Sequence, residues 1–365
     1  MTIAAENLHV IRCYDRLPPL PGGMERHIAE LTAAQRRIGV RVTEIHNSGE
    51  PAGEARRVWP WLRTDRLRPS LLRWSLFYFG AALGGVDRSD GRVPIVHVHG
   101  DLHAFELAAL LSKRVRAKAL AASLHGRFHA PVARYARALR NCDPIFTTGL
   151  AQAAELRQVL QREVIHLPSA PADLFYGSPA STSEPVDVIA VGSLLPVKNL
   201  DLLLDCAALR PLWRFSILGE GPERPRLERL KNERGLSNVM FRGAVTPEDV
   251  HSALCSARLL LNTSWSEGSP TAALEAMACG VPVVLTPGND YSSVVQTNVN
   301  GIVSGGWTAG ELVEAMSHFL EHEENLARAG RSARATALEH RWDRKGRLVT
   351  EAIMSAVERS KDTSR

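Results

Sequence analysis

The sequence predicts an α/β protein built from two doubly wound parallel sheets, and three observations carry that prediction. Short β-type runs alternate with longer helical patterns along most of the chain, with Gly, Pro or a capping residue at the junctions. The alternation is interrupted at residues 168–185 (PSAPADLFYGSPASTSEP), a stretch rich in Pro, Ser and Ala with no sustained periodicity, which reads as an interdomain linker. The total of 365 residues also exceeds one ordinary core, since single domains run to roughly 100–200 residues. The expected division is an N-terminal domain over 1–170, a linker over 171–185, a C-terminal domain over 186–345 and a final helix over 346–365.

Taken in order, the first-half strands are expected at 9–13, 40–45, 95–98, 120–124, 144–147 and 164–167. Between the first two, Met24, Ile28, Leu31, Ala34 and Ile38 recur at helical spacing, and Gly39 is a stop signal. The second series opens with a strand at 186–191 and continues with a helix at 200–209, a strand at 214–218, a helix at 223–234 and a strand at 239–242. Thr246 is the expected N-cap of the next helix, with Pro247 in its first turn and Glu248 and Asp249 facing the positive end of the helix. A strand at 258–262, a helix at 270–278 and a strand at 281–285 follow, with Gly280 and Pro282 closing the helix between them. In sheets of this kind ligands sit beyond the carboxyl ends of the strands, so the loops there are the places to look for chemistry.

Composition narrows the function classes. The chain is 45% apolar and 23% charged, as a globular enzyme is, and 44 basic against 39 acidic residues leave a formal charge of only +5. Both signs are interspersed nearly everywhere, which argues against a dedicated nucleic-acid binder. The five cysteines are odd in number, widely spaced and without a C-x-x-C pair, which argues against a disulfide scaffold or a zinc knuckle and suits a reducing cytosol. No apolar run approaches the ~20 residues that span a bilayer, and the first residues carry no signal-peptide pattern, so a cytoplasmic location is expected.

The most informative segment is WSEGSPTAALEAMACG, from Trp265 to Gly280. Glu267 lies in a loop directly before a helix capped by Ser269, with Pro270 as its first residue. The free N–H groups around Thr271 and the helix dipole make that helix end a candidate phosphate site. Glu275 lies about 7.5 Å of helical rise beyond Pro270, within reach of what the helix end holds. One carboxylate before the helix and one on it could grip hydroxyls flanking a diphosphate.

These residues resemble the signature of the retaining nucleotide-sugar glycosyltransferases of family four, E-G-x-P-x-x-x-x-E followed by A-x-A-x-G-x-P-V-V. The chain reads Glu267-Gly268-Ser269-Pro270 through Glu275, then Ala276-Met277-Ala278-Cys279-Gly280-Val281-Pro282-Val283-Val284. Other landmarks of that family recur in order. Gly22-Gly23-Met24-Glu25-Arg26-His27 is similar to its glycine turn at the first helix, where bare backbone approaches a phosphate or sugar. The segment from Val191 through Gly192, Ser193 and Lys198 to Asn199 resembles its diphosphate loop, and the segments around Gly219, Gly221 and Arg242 resemble those that enclose the nucleoside. Trp342 and the stretch after it resemble the helix that crosses back to the first domain. The resemblance implies the GT-B fold, two Rossmann-like domains facing across a cleft, the first on the acceptor side and the second holding a nucleotide sugar such as a UDP-sugar. Two departures stand out: Ser193 replaces the usual Arg, leaving Lys198 as the matching cation, and Ser169-Ala170-Pro171-Ala172-Asp173 replaces the usual Asn-Gly-Val-Asp.

His97, His99, His103, His125 and His129 crowd one stretch. His97 and His99 share a strand face, but no third ligand, H-E-x-x-H or D-x-D accompanies them, so no metal or other cofactor is expected. His125, in Ser-Leu-His-Gly-Arg, matches the family's cleft histidine, which the resemblance places against the transferred sugar. It likewise assigns Glu275 to the ribose and Glu267 to the donor sugar. The expected activity is therefore hexosyl transfer with retention, from a nucleotide sugar to a carbohydrate, lipid-linked or small-molecule acceptor in glycan, glycolipid or glycoside synthesis. The leaving phosphate is expected to accept the acceptor's proton, with Lys198, the helix end at Thr271 and the Gly22-Gly23 backbone as candidates to meet the developing charge. A nucleotide-sugar epimerase, a sugar phosphorylase and a non-catalytic sugar-binding protein share the architecture. An NAD oxidoreductase would want G-x-G-x-x-G after the first strand, where the chain has only Gly22-Gly23. Finally, residues 56–80 interleave Arg56, Arg57, Arg63, Arg66, Arg68 and Arg73 with Trp59, Trp61, Trp74, Phe77, Tyr78 and Phe79. That pattern fits either an anionic membrane surface, which would put the protein at the inner membrane face, or a helix–loop–helix with buried aromatics.

Overall fold

The computed structural model describes residues 4–17, 23–51, 53–84, 90–125, 128–180, 183–267, 271–288 and 294–362. The chain forms two compact units, Met1–Pro168 with Trp342–Arg365, and Ser169–Arg341.

The first unit runs β1 (Leu8–Cys13), α1 (Gly23–Arg37), β2 (Arg41–His46), β3 (Ala55–Arg57), α2 (Ser70–Leu83), β4 (Val93–Gly100), α3 (Leu102–Arg114), β5 (Ala119–Leu124), α4 (Val132–Leu139), β6 (Ile145–Thr147), α5 (Leu150–Leu160) and β7 (Ile165–His166). Its seven strands lie in the order β3-β2-β1-β4-β5-β6-β7, all parallel. Strand order therefore reverses between β1 and β4, the switch point at which doubly wound sheets open a crevice. All six residues of β1 are buried, as expected for a central strand covered on both faces. That burial takes in the polar residues His9, which pairs with Thr43 at 2.8 Å, and Arg12, which donates to Thr32 at 2.6 Å and to Gln35. α1 turns Ile28, Leu31 and Ala34 into the core and stops before Gly39, whose φ of +87° suits glycine.

The second unit runs β8 (Val186–Val191), α6 (Leu200–Leu209), β9 (Phe215–Leu218), α7 (Arg224–Glu233), β10 (Val239–Gly243), α8 (Pro247–Cys255), β11 (Ala257–Asn262), α9 (Thr271–Ala278), β12 (Val283–Leu285), β13 (Gly301–Val303), α10 (Ala309–Leu320) and α11 (Glu323–Glu339). Six parallel strands follow the order β10-β9-β8-β11-β12-β13, and the switch point falls between β8 and β11. Thr246 caps α8 by accepting from the Asp249 amide at 3.2 Å. Thr308 and Glu311 form a capping box at α10, a start signal that the sequence reading passed over.

The expected linker holds a short element among its described residues. Residues Asp173–Tyr176 form a short 3-10 turn that buries Phe175 and bonds the Tyr176 hydroxyl to Ala337 O at 2.8 Å. Two aromatics with this much apolar surface anchor it to the second unit, so the division falls after Pro168.

The last helix, α12 (Trp342–Asp362), belongs to the first unit and packs on α1. Gly346 makes the approach possible, because a Cβ there would sit 2.8 Å from that of Ala34. Gln35 donates to Thr350 at 2.9 Å, Arg37 bonds Asp343 at 2.7 Å, and Lys345 reaches Pro168 O at 2.6 Å. In the 56–80 region Trp74, Phe77 and Tyr78 are core residues, Arg73 pairs with Asp15, and Arg56 and Arg57 donate to backbone carbonyls of Ala81 and Asn47. Trp61, Leu71, Leu72, Phe79 and Leu83 stay exposed. No described helix is long and apolar enough to cross a membrane.

Candidate active site

In the second unit the candidate residues gather on loops at the carboxyl ends of β8, β9 and β11. β8 runs into Gly192, at φ +151°, and then a short 3-10 turn over Pro196–Lys198. Asn199 takes the left-handed conformation (φ 48°, ψ 48°) that turns the chain into α6. Lys198 donates through Nζ to Glu267 Oε1, and both side chains are mostly buried. Ser264 Oγ supports the same carboxylate oxygen at 3.0 Å.

Backbone and side-chain bonds tie the two loops together around this pair. Trp265 N donates to Val197 O at 2.8 Å, Thr263 Oγ1 to Lys198 O at 2.8 Å, and Glu267 N to Gly288 O at 3.1 Å. A small cleft beside them is lined by Gly192, Ser193, Lys198, Asn262, Thr263 and Ser264. Ser193 is exposed at its rim.

The β9 loop lies against the β8 loop, backbone to backbone. Gly192 N donates to Leu218 O at 3.0 Å and Leu194 N to Glu220 O at 2.9 Å. A Cβ on Gly219 would lie 1.9 Å from Gly192 O, and one on Gly221 would lie 2.4 Å from Leu194 O. Contact between the two loops therefore demands glycine at both positions.

Glu275 sits in the middle of α9 at 4% exposure, beside buried Ala273, Leu274 and Ala276. It is a buried carboxylate and not a helix-surface one, and burying a charge is costly unless partners repay it. Thr271 begins the helix. Gly268, Ser269 and Pro270 lie outside the described residues, as does Gly22. Arg242 is not brought to Lys198's cleft: it is exposed on the edge strand β10, bonds Glu184 at 3.2 Å and lines a different cavity with Ser216 and Leu218.

In the first unit His125 follows β5, half-buried, and its Nε2 lies 3.0 Å from His99 Nδ1. The His27 ring meets it edge-on at 4.7 Å, and His27 in turn meets Trp342 at 4.8 Å. Burial pushes the His125 imidazole down to about 4 and holds His27, His97 and His99 well below the usual histidine range. The group is therefore neutral at physiological pH. His97 bonds Ser123 at 2.8 Å and lies 3.5 Å from Arg12, so hydrogen bonds use the shared strand face of His97 and His99. His103 pairs with Glu106 at 2.8 Å, and His129 is exposed. Gly23 opens α1, and a Cβ there would meet nothing within 4 Å among the described residues.

Sequence reasoning missed Ser264, which supports Glu267, the packing of His27 and His99 around His125, and a cluster of His251, Cys255 and Cys279 elsewhere in the second unit. The signal for the cluster was the spacing of His251 and Cys255 on one helix.

Residues 177–336 match the family described as Glycosyl transferases group 1, and residues 21–170 match Glycosyltransferase Family 4. The chain belongs to glycosyltransferase family four. Among curated relatives of this family-four chain, D-inositol 3-phosphate glycosyltransferase of Gordonia bronchialis is 26% identical over 314 residues, 78% of this chain and 65% of the relative. The protein of that name from Mycobacterium tuberculosis is 27% identical over 269 residues, 67% of this chain and 53% of the relative. The chain thus spans less than two thirds of the length of either. Among solved structures, sucrose-phosphate synthase from Thermosynechococcus elongatus superposes with a TM-score of 0.76 at 17% identity, covering 95% of this chain and 100% of that one. HepE from Anabaena in complex with UDP superposes with a TM-score of 0.75 at 17% identity, over 95% and 100% of the two chains. These likenesses establish the GT-B-like fold of the glycosyltransferase structures.

Proposed function

We propose that the chain transfers a hexosyl group with retention from a nucleoside diphosphate sugar, a UDP-sugar foremost, to an acceptor hydroxyl. The observation that carries the reading is the Lys198–Glu267 pair held at the switch point of the second sheet, where β8 and β11 deliver their loops. In this reading Lys198 stabilises the leaving diphosphate, together with the amides at Thr271 and the exposed Ser193. Glu267, kept in place by Lys198 and Ser264, accepts from donor-sugar hydroxyls, and Glu275 accepts from the ribose. His125 is neutral, so it hydrogen-bonds a sugar hydroxyl and contributes no positive charge. The space at Gly23 among the described residues supports close approach of a ligand to the backbone. The departing phosphate oxygen takes the acceptor's proton as the new glycosidic bond forms on the same face.

HepE has also been solved with UDP-glucose, which makes that nucleotide sugar the first donor to try. For the acceptor, the reading adds a membrane-borne or lipid-linked molecule. Leu72, Phe79 and Leu83 share one exposed stripe of α2, and Trp61 stands exposed nearby in the chain.

The test is to incubate the purified chain with a panel of nucleotide sugars, first by thermal shift and then by product analysis. Stabilisation and slow release of nucleoside diphosphate by the wild type, lost in Lys198→Ala, are expected. Turnover that requires orthophosphate would make it a phosphorylase, interconversion of nucleotide sugars without acceptor an epimerase, and binding without any turnover a sugar-binding protein.

A further inference from the structure

α8 carries His251 and Cys255 four residues apart, hence on one helical face, and Cys279 stands immediately after α9, which packs against α8. One ring nitrogen of His251 and the two sulfur atoms all lie within 4.8 Å of one another. Every cysteine in the chain is a free thiol. His251 is 1% exposed, and neither of its ring nitrogens has a hydrogen-bond partner among the described residues. The Gly177 backbone lies close to the ring but outside good hydrogen-bond geometry, and the Phe175 ring meets it edge-on at 5.6 Å. Cys279 Sγ donates to Phe175 O at 3.7 Å, a weak bond that a metal-bound thiolate would give up, and the buried imidazole has no strong partner among the described residues.

We propose that His251, Cys255 and Cys279 form a binding site for a zinc-type cation that ties α8 to the C-terminal end of α9. Two sulfurs and an imidazole select a borderline-soft ion such as zinc over magnesium or calcium. Tetrahedral zinc wants its ligand atoms about 3.5–4 Å apart, so the cluster needs only small side-chain rotations. Cys255 and Cys279 are each partly exposed, which leaves water as the fourth ligand. Binding releases the two thiol protons to solvent, and no redox change is involved. The Arg334 guanidinium, held on Ala278 O and Tyr176 O at 2.9 and 2.8 Å, balances part of the thiolate charge. Cys279 N also bonds Glu275 O at 3.2 Å, so a metal at this point steadies the helix that bears Glu275.

The whole chain, stripped of metal and kept reduced with a phosphine, is titrated with cobalt(II) and then zinc(II). One cobalt per chain with a thiolate charge-transfer band is expected, displaced by zinc. The band should be lost in Cys255→Ser and in Cys279→Ser, and His251→Ala should weaken binding by at least about tenfold. In the unaltered protein zinc should protect Cys255 and Cys279, and not Cys142 or Cys206, from alkylation, as read by peptide mass mapping. Absence of the band, or protection that does not single out these two thiols, overturns the site. So does a reduced protein that ignores cobalt yet joins Cys255 to Cys279 on oxidation, which would make the cluster a disulfide pair.

Discussion

Lys198 and Glu267 are 69 residues apart in sequence and share one hydrogen bond at the point where the second sheet reverses its strand order. The ammonium lies beside Gly192, whose missing side chain leaves a Cβ position 3.5 Å from Lys198 Nζ. If the proposed function holds, Lys198→Ala removes a cation beside the Gly192 loop and should cut turnover at least about a hundredfold, since one preorganised donor is worth ~2.7–4 kcal/mol. Steady-state kinetics check this, and near-normal turnover would mean that another cation serves the leaving group.

Ser193→Arg makes the opposite test. The side chain is exposed at the rim of the cleft, so an arginine fits without disturbing the core. It should tighten nucleoside diphosphate binding by calorimetry and slow product release, because a charge-assisted bond is roughly twice as strong as a neutral one.

Glu267 and Glu275 should separate by assay. Glu275→Gln is expected to weaken binding of bare nucleotide about ten- to a hundredfold, through loss of charge-assisted bonds worth ~1.5–3 kcal/mol. Glu267→Gln should depress turnover while leaving bare-nucleotide affinity nearly intact. Equal affinity losses in both would refute the division, and a thermal melt of Glu275→Gln guards against simple loss of fold at this buried position.

Gly219→Ala should destabilise the second unit by at least about 2–3 kcal/mol, because the new methyl collides with Gly192 O at 1.9 Å and φ is +142°. The transition measured by calorimetry should fall by roughly 5–10 °C. An unchanged melting temperature would show that the two loops do not pack this way.

Acid should weaken the first unit. Burial depresses His27, His97, His99 and His125, so between the ordinary histidine range and their folded values only the unfolded chain takes up protons. Stability therefore falls as pH drops from about 6.5, by up to about 1.4 kcal/mol per pH unit for each ring, and for His125 the loss is complete only below about 4. Urea midpoints at pH 7, 6 and 5 measure the slope, which His99→Gln should flatten. A slope unchanged in that variant would remove His99 from the account.

The sequence by itself determined the alternation that makes two parallel sheets, the caps at Gly39 and Thr246, and the positions of Lys198, Glu267 and Glu275 in loop, loop and helix. These are local properties: periodicity, φ preference and hydrogen-bond capping act within a few residues, so one chain suffices to read them. Tertiary structure alone decided which distant groups meet. It paired Lys198 with Glu267, sent Arg242 to Glu184, buried Glu275, surrounded His125 with His27 and His99, and gathered His251, Cys255 and Cys279. It also showed that Gly219 and Gly221 answer to a neighbouring loop and that Phe175 draws the expected linker into the second unit. The edge strand β3 went unread because Ala55-Arg56-Arg57 holds no β-branched or aromatic residue, and its pairing is supplied by β2 next door.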